Sequence, residues 1–423
     1  MESSGWPVAV ATGFGETESG MTTGYRRGPG IRRWVAVLAA ALLAACGGDG
    51  TPATSTPGAA TTTSEAPDTI APPAGGDGWA SLLAAVPDTE ANRSQVILND
   101  YRAAQVAAGI PPLAADAPAA DIVTYAVTLS LGVPGGEDDG EVVRDPPLAA
   151  LPMATFGQRA VASWDEWEAE YGFTLARVER DLIAGQPPDE VIVFEGRFSP
   201  ASIAEVLRAD PGWAGDLEVV EHHGGSYYSW GEDFAIDPRR ASPARPLGRG
   251  GRLAVGEDRI LRTYGSEAIE SALGAIAGDV PSLADVPEMT ALAGALDRAG
   301  AYAALLTMAV ADLAAAGVPE GSGPFLEPYR GLAIGPGVGD DGQAFVVIAL
   351  VHGDEAAAAA NAGRIPEIVA TGSSLLTGRP WSDVLEVQEV RRDGTVTVAV
   401  LSTDRPGLWS EVVFARDGLV LWS

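Results

Sequence analysis

One short stretch of the chain combines carboxylates with aromatic rings. It holds Asp165, Glu166, Glu168 and Glu170 between Trp164, Trp167 and Tyr171. Glycosidases use a pair of carboxyl groups, one as general acid and one as base or nucleophile. The stretch is therefore a candidate sugar-hydrolysing site, although aromatic residues at helical spacing more often form a core. Tyr228 and Trp230, which share one face of a predicted strand, admit the same two interpretations.

Histidine is scarce, with only His222, His223 and His352 in the chain. Adjacent strand residues point to opposite faces of a sheet, so His222 and His223 cannot easily chelate one ion together. A metal site would need Glu221 or distant carboxylates as well. We predict no metal site, and no serine triad, because the sequence contains no Gly-x-Ser-x-Gly elbow.

Two acidic loops imitate ligand-binding motifs. The sequence of residues 337–342, Gly-Val-Gly-Asp-Asp-Gly, matches the dinucleotide fingerprint G-x-G-x-x-G. The fingerprint must lead into a helix, whereas here a strand is predicted to follow, so we interpret the segment as a hairpin turn. The acidic loop at Glu137, Asp138 and Asp139 lacks the alternating ligands of a calcium loop. We therefore expect no cofactor.

Composition excludes several classes of enzyme. All 27 basic residues are arginine, so the chain has no lysine for a P-loop, a Schiff base or a Ser-Lys nucleophile. Cys46 is the only cysteine, which excludes an intrachain disulfide. The formal net charge of −30 would repel a phosphate backbone, so we expect no nucleic-acid partner.

The segment that ends at Cys46 carries the strongest functional signal. Arg32 and Arg33 precede the apolar run Trp34–Ala45, and the run ends in Leu-Ala-Ala-Cys. The run is too short to span a bilayer, which takes about 20 apolar residues. This order resembles the signal peptide and lipobox of bacterial lipoproteins, which implies that the Cys46 thiol receives a lipid.

Around the lipobox, the sequence divides into processed and unstructured parts. Residues 1–45 are predicted to be the signal peptide, and Met21 is the better start because Glu2, Glu16 and Glu18 do not suit the positive end of a signal. Residues 46–78 are rich in Thr, Pro, Ala and Gly and are predicted to be a lipidated, disordered tether.

Several short segments of the mature chain resemble uncharacterised bacterial lipoproteins. They are Val86–Thr89, Asn92–Arg93, Asn99–Tyr101, Gly172–Phe173, Asp181–Pro188 and Val193–Phe198. This resemblance brings no known activity or site, so only the lipobox carries function.

Periodicity predicts helices first and strands later. Residues 79–185 are predicted to form a helical N-terminal region, in which Asp88 or Thr89 caps a helix that runs through Asn92 and Ala104 and ends at Gly109. Residues 186–300 and 301–423 each show a strand, a helix and two hairpins, including a last hairpin that pairs 412–415 with 419–422. This shared order suggests two modules from an old duplication.

We therefore predict an α+β fold with mostly antiparallel sheets and helices on one face. The function predicted is that of a lipid-anchored protein on the outer face of the cell membrane. Its partners would be the membrane, through the lipid, and an unknown envelope partner or ligand, with a binding or structural role favoured over an enzymatic one. A carboxylate-dependent hydrolase and a solute-binding protein stay open as alternatives, although the latter would show a parallel sheet.

Overall fold

The computed structural model describes residues 78–131, 156, 163–212, 215–222, 225–242, 245–310, 324–405, 407–414 and 417–422. The signal peptide, Cys46, most of the tether and the loop at Glu137 lie outside these residues. Within them, twelve strands form one sheet in which every strand pair is antiparallel. The predicted α+β class with a mostly antiparallel sheet is confirmed.

The strands are β1 Val96–Asp100, β2 Val178–Ala184, β3 Val191–Gly196, β4 Glu218–His222, β5 Gly225–Trp230, β6 Gly251–Val255, β7 Arg259–Thr263, β8 Ala303–Thr307, β9 Gly331–Val338, β10 Ala344–Val351, β11 Glu386–Asp393 and β12 Val396–Ser402. Their order across the sheet is β11-β12-β10-β9-β8-β1-β2-β3-β7-β6-β5-β4. The helices are α1 Trp79–Leu83, α2 Glu90–Ser94, α3 Tyr101–Ala107, α4 Ala119–Leu131, α5 Trp164–Tyr171, α6 Pro200–Ala209, α7 Ser266–Ala277, α8 Pro287–Ala299, α9 Glu355–Thr371 and α10 Leu408–Phe414.

Helices cover both faces of the sheet, which differs from the predicted single covered face. One core packs α3, α4, α5, α6, α9 and α10 against the sheet, and the other packs α1, α7 and α8 against the opposite face. The central strands are apolar on both sides for this reason. In β1, for example, Ile97 faces the first core while Val96 and Leu98 face the second.

Local turn and cap signals are confirmed. Strands β11 and β12 pair directly around Asp393-Gly394, where Gly394 has a φ of 58°. Helix α6 begins at Pro200, and the Ser199 hydroxyl accepts a hydrogen bond from the Ser202 amide. Helix α5 ends at Gly172, which adopts the left-handed conformation with a φ of 72°.

Two predicted elements are wrong. The helix predicted from the cap at Asp88 or Thr89 to Gly109 is interrupted by β1. The apolar residues of β1 are buried on both faces of a strand rather than along one face of a helix. The last predicted hairpin is replaced in its first half by α10. Leu408, Trp409 and Val412 are all buried in the first core, and this spacing suits a helix.

The two predicted modules contribute to one continuous sheet. Strand β8 pairs with β1, which belongs to the predicted N-terminal region, and that region also supplies β2. In each module, the strand just before the helix pairs with a strand that comes after that helix. Strand β3, before α6, pairs with β7, and strand β10, before α9, pairs with β12. Four strands follow the helix in the first module and two in the second. Duplication stays a prediction.

Candidate functional site

The aromatic residues among the carboxylates are core residues. Trp164, Trp167 and Tyr171 are each fully buried and pack against one another and against Phe156 and Phe173. Asp165, Glu166 and Glu168 are exposed on the same helix, and Glu170 accepts a hydrogen bond from the Ser242 hydroxyl. Among the described residues, the shallow pocket beside Glu166 and Glu170 is lined by no aromatic side chain. Tyr228 and Trp230 are also buried in the same core.

Neither of the two histidines that the structure describes belongs to a metal-ligand cluster. His222 Nδ1 lies 4.0 Å from a carboxylate oxygen of Glu270, and Glu221 is exposed. His352 is buried and bonded to Thr395 and Asn361. Over the described residues, no three histidine, cysteine, aspartate or glutamate side chains are grouped so that they could hold a metal ion. His223 lies outside these residues.

The remaining sequence motifs are structural turns. The glycine-rich 337–342 segment joins β9 directly to β10, as expected for a hairpin. Ser374, which follows α9, donates a hydrogen bond from its hydroxyl to Asp417 at 2.6 Å. The 337–342 segment leads into a strand and so offers no helix N-terminus to a phosphate. Asp417 also accepts hydrogen bonds from the Leu375 and Gly418 amides, so it holds these two loop segments together.

A groove of about 570 Å³ opens on the first-core side of the sheet, beside the first residues of β2. One wall is the outer face of α3, with Arg102, Gln105 and Val106. The opposite wall is the segment 175–179 together with Arg197. Tyr125 of α4 and the loop at Leu113 form the remaining side. The volume is in the range typical of small-molecule sites.

Helical spacing places one wall of the groove. Arg102 and Val106 are four residues apart and Gln105 lies between them, so they share one face of α3. The start of this helix is fixed by Asp100, whose side chain accepts a hydrogen bond from the Ala103 amide.

Tyr101, which lines the groove, is held in place by a buried polar cluster. The Tyr101 hydroxyl donates to Asp181 Oδ2 at 2.6 Å, and the Asn99 amide donates to Asp181 Oδ1 at 2.8 Å. Asn99 and Asp181 are register partners on β1 and β2, and neither is exposed. Because a buried carboxylate must keep its hydrogen bonds, this cluster fixes the position of the Tyr101 ring.

A β-bulge positions the arginines of the opposite wall. Val178 pairs with Gly196 and Arg180 pairs with Glu195, so Glu179 is the extra residue between the two pairs. The Arg197 amide then donates to the Arg177 carbonyl at 3.0 Å. A Cβ at Gly196 would lie 1.9 Å from that carbonyl oxygen, so only glycine allows this approach. The bulge brings Arg177, Glu179 and Arg197 to one rim.

The charge of the groove is the reverse of the charge of the chain. Three arginines and one glutamate line it, whereas the whole chain has 27 basic and 57 acidic residues. Arg197 Nε lies 3.4 Å from Glu179. Burial raises the pKa of the Tyr125 hydroxyl, and the charge of Asp100 raises it further, so this hydroxyl is neutral at physiological pH.

We compared the chain with family models, with curated proteins and with solved structures. No family model matches it, and no curated protein matches it. Solved structures of TP0453 are similar at a low level. Crystal form III gives a TM-score of 0.35 at 9% identity, covering 81% of this chain and 99% of that one. Crystal form IV gives a TM-score of 0.35 at 8% identity, covering 78% of this chain and 95% of that one. Crystal form I gives a TM-score of 0.33 at 9% identity, covering 81% of this chain and 98% of that one. Similarity at this level supports no argument about function.

Sequence reasoning missed the groove residues. Val106 could have been identified from the sequence. It lies four positions after Arg102, so on a short helix it shares the arginine's exposed face and has no core partner. Arg177 and Arg197 carried no local signal, because only the pairing of β2 with β3 brings them together.

Proposed function

We propose that the chain is a lipid-anchored binding protein on the outer face of a bacterial cell membrane. The observation that carries this proposal is the arginine-flanked apolar run that ends in Leu-Ala-Ala-Cys at Cys46. In the part of the chain that the structure describes, no helix is long and apolar enough to cross a membrane. The lipid on Cys46 would provide the attachment.

A binding role is favoured over the two alternatives by specific features. The hydrolase hypothesis relied on Trp164 and Trp167 as sugar platforms, and both rings are buried. The solute-binding hypothesis expected a parallel sheet, and the twelve strands pair antiparallel. The groove beside α3, in contrast, offers exposed cations and apolar side chains to a ligand.

Cys46→Ala tests the anchor. The wild-type protein should sediment with membranes after a carbonate wash and carry the mass of a diacylglycerol on its N-terminal peptide. The variant should be released, because the attachment is through the thiol. Ser55→Ala, in the predicted tether, should behave like the wild type. A Cys46→Ala protein that still sediments after the wash would refute the proposal.

A further inference from the structure

We propose that the groove beside α3 binds an amphipathic organic anion, an acyl or aryl group that carries a phosphate or a carboxylate. This inference rests on the proposed binding role and specifies its ligand. It combines three observations: the cations of the rim, the apolar wall and the size of the groove.

The cations of the rim are available to a ligand. Arg102 and Arg177 are exposed, and neither forms an ion pair with any residue that the structure describes. Some exposed arginines elsewhere, such as Arg240 and Arg298, pair with an aspartate, whereas others, such as Arg392, form no ion pair with a described residue but do not line the groove. Guanidinium groups bind phosphate and carboxylate in two-point geometry. An acidic protein repels anions over most of its surface, so a groove lined by two arginines that pair with no described carboxylate is a favourable place for an anion.

The apolar wall requires more than a small anion. Val106 is 74% exposed, the highest fraction among the exposed large hydrophobic residues that the structure describes. It faces the groove together with Leu113 and Leu175. A phosphate ion alone would leave this wall in water and would fill a small part of about 570 Å³. An acyl or aryl group would cover the wall, and the Gln105 side chain, whose Oε1 accepts a hydrogen bond from the Tyr125 hydroxyl at 3.3 Å, would offer its amide N–H groups to the ligand at the rim.

Binding can be measured without the anchor. The full chain carrying Cys46→Ala, purified without detergent, would be titrated by calorimetry with dodecyl phosphate, dodecanoate, inorganic phosphate and dodecyl maltoside. Dodecyl phosphate or dodecanoate should bind at least about tenfold more tightly than inorganic phosphate or dodecyl maltoside. Inorganic phosphate lacks the apolar chain, and dodecyl maltoside lacks the anionic group. The tighter of the two anionic probes identifies the headgroup.

Paired variants distinguish the two walls. Arg102→Gln combined with Arg177→Gln should weaken binding of the anionic probe by about tenfold or more. Val106→Asn should weaken it as well. The matched controls are Arg392→Gln and Leu376→Asn, which change an exposed arginine and an exposed leucine that do not line the groove, and they should leave binding unchanged. The changed side chains are exposed, so unaltered circular dichroism is expected in every variant.

Two results would overturn the inference. Equal binding of dodecyl maltoside, unaffected by the arginine changes, would show an apolar site without anion recognition. Equal binding of inorganic phosphate would show an anion site without an apolar part. Absence of binding in a protein that is anchored through Cys46 would remove this inference alone, because anchoring is measured separately.

Discussion

His352 is fixed in its neutral form by two hydrogen bonds. Its Nδ1 lies 2.9 Å from the Thr395 carbonyl oxygen, which can only accept, so this nitrogen carries the proton. Its Nε2 lies 2.9 Å from the Asn361 side-chain nitrogen and therefore accepts. The Asn361 amide is oriented in turn by the backbone of Glu327, through bonds of 2.7 and 2.9 Å. A second proton on the ring, at Nε2, would point at the Asn361 amide group that donates to this nitrogen, so protonation would break the hydrogen bond.

This geometry predicts a pH-dependent loss of stability. Burial lowers the pKa of His352, although the charge of Asp354 opposes the shift. Above the unfolded pKa of about 6.5, both states are neutral and the contribution of His352 is fully present. As the pH falls below that value, the unfolded chain takes up a proton before the folded one. The free energy of unfolding then decreases by at most about 1.4 kcal/mol per pH unit, down to the folded pKa.

The measurement is urea unfolding of the wild type and of His352→Gln between pH 5 and pH 8. Glutamine can donate to Thr395 and accept from Asn361 without titrating. Its stability relative to the wild type should increase as the pH falls below about 6.5. Buried carboxyl groups with a raised pKa, such as Asp100 and Glu190, act in the opposite direction but are common to both proteins. A difference that does not change with pH would contradict the prediction.

At the scale of elements, the bulge between β2 and β3 depends on Gly196. An added methyl group would lie 1.9 Å from the Arg177 carbonyl oxygen. Either the bulge or the Arg197 to Arg177 hydrogen bond must shift, so Gly196→Ala should destabilise the fold by about 1–3 kcal/mol. It should also weaken binding in the groove, because Arg177 and Arg197 lose their positions.

The control is Gly363→Ala in α9. A Cβ at Gly363 would meet no atom within 4 Å, so alanine should stabilise the protein by about 0.4–1 kcal/mol through the unfolded state. Unfolding midpoints in urea measure both variants. A Gly196→Ala protein as stable as the wild type would show that the bulge tolerates a side chain.

The outcome for individual elements shows what the sequence could predict. The hairpin of β11 and β12 was predictable because Asp393-Gly394 is a local turn signal. Strand β1 was missed because a strand that is apolar on both faces does not alternate, and its register with β2 and β8 is set by residues 80 or more positions away. The groove was missed for the same reason, since it assembles from α3, α4 and the bulge.

At the scale of the whole molecule, the sheet is continuous where the predicted modules meet earlier strands. Strand β8 pairs with β1 from Val96 and Leu306 to Asn99 and Ala303. Each core contains residues from before and after residue 300, for example Leu98 and Leu306 in the second core. An independent second module would expose this edge and both of its apolar faces to water.

The whole described sheet should therefore unfold in one transition. Leu306→Ala removes a fully buried side chain at the β1 to β8 contact and should cost about 2–5 kcal/mol. Hydrogen exchange in low urea, followed by mass spectrometry, would measure protection of peptides from β3 and from β10. The free energy of opening should decrease by the same amount for both peptides, because opening either half of the sheet requires breaking the shared cores. Leu376→Ala, at an exposed position, should change neither by more than about 0.5 kcal/mol. Loss of protection in β10 alone would show that residues 301–423 fold as a separate module.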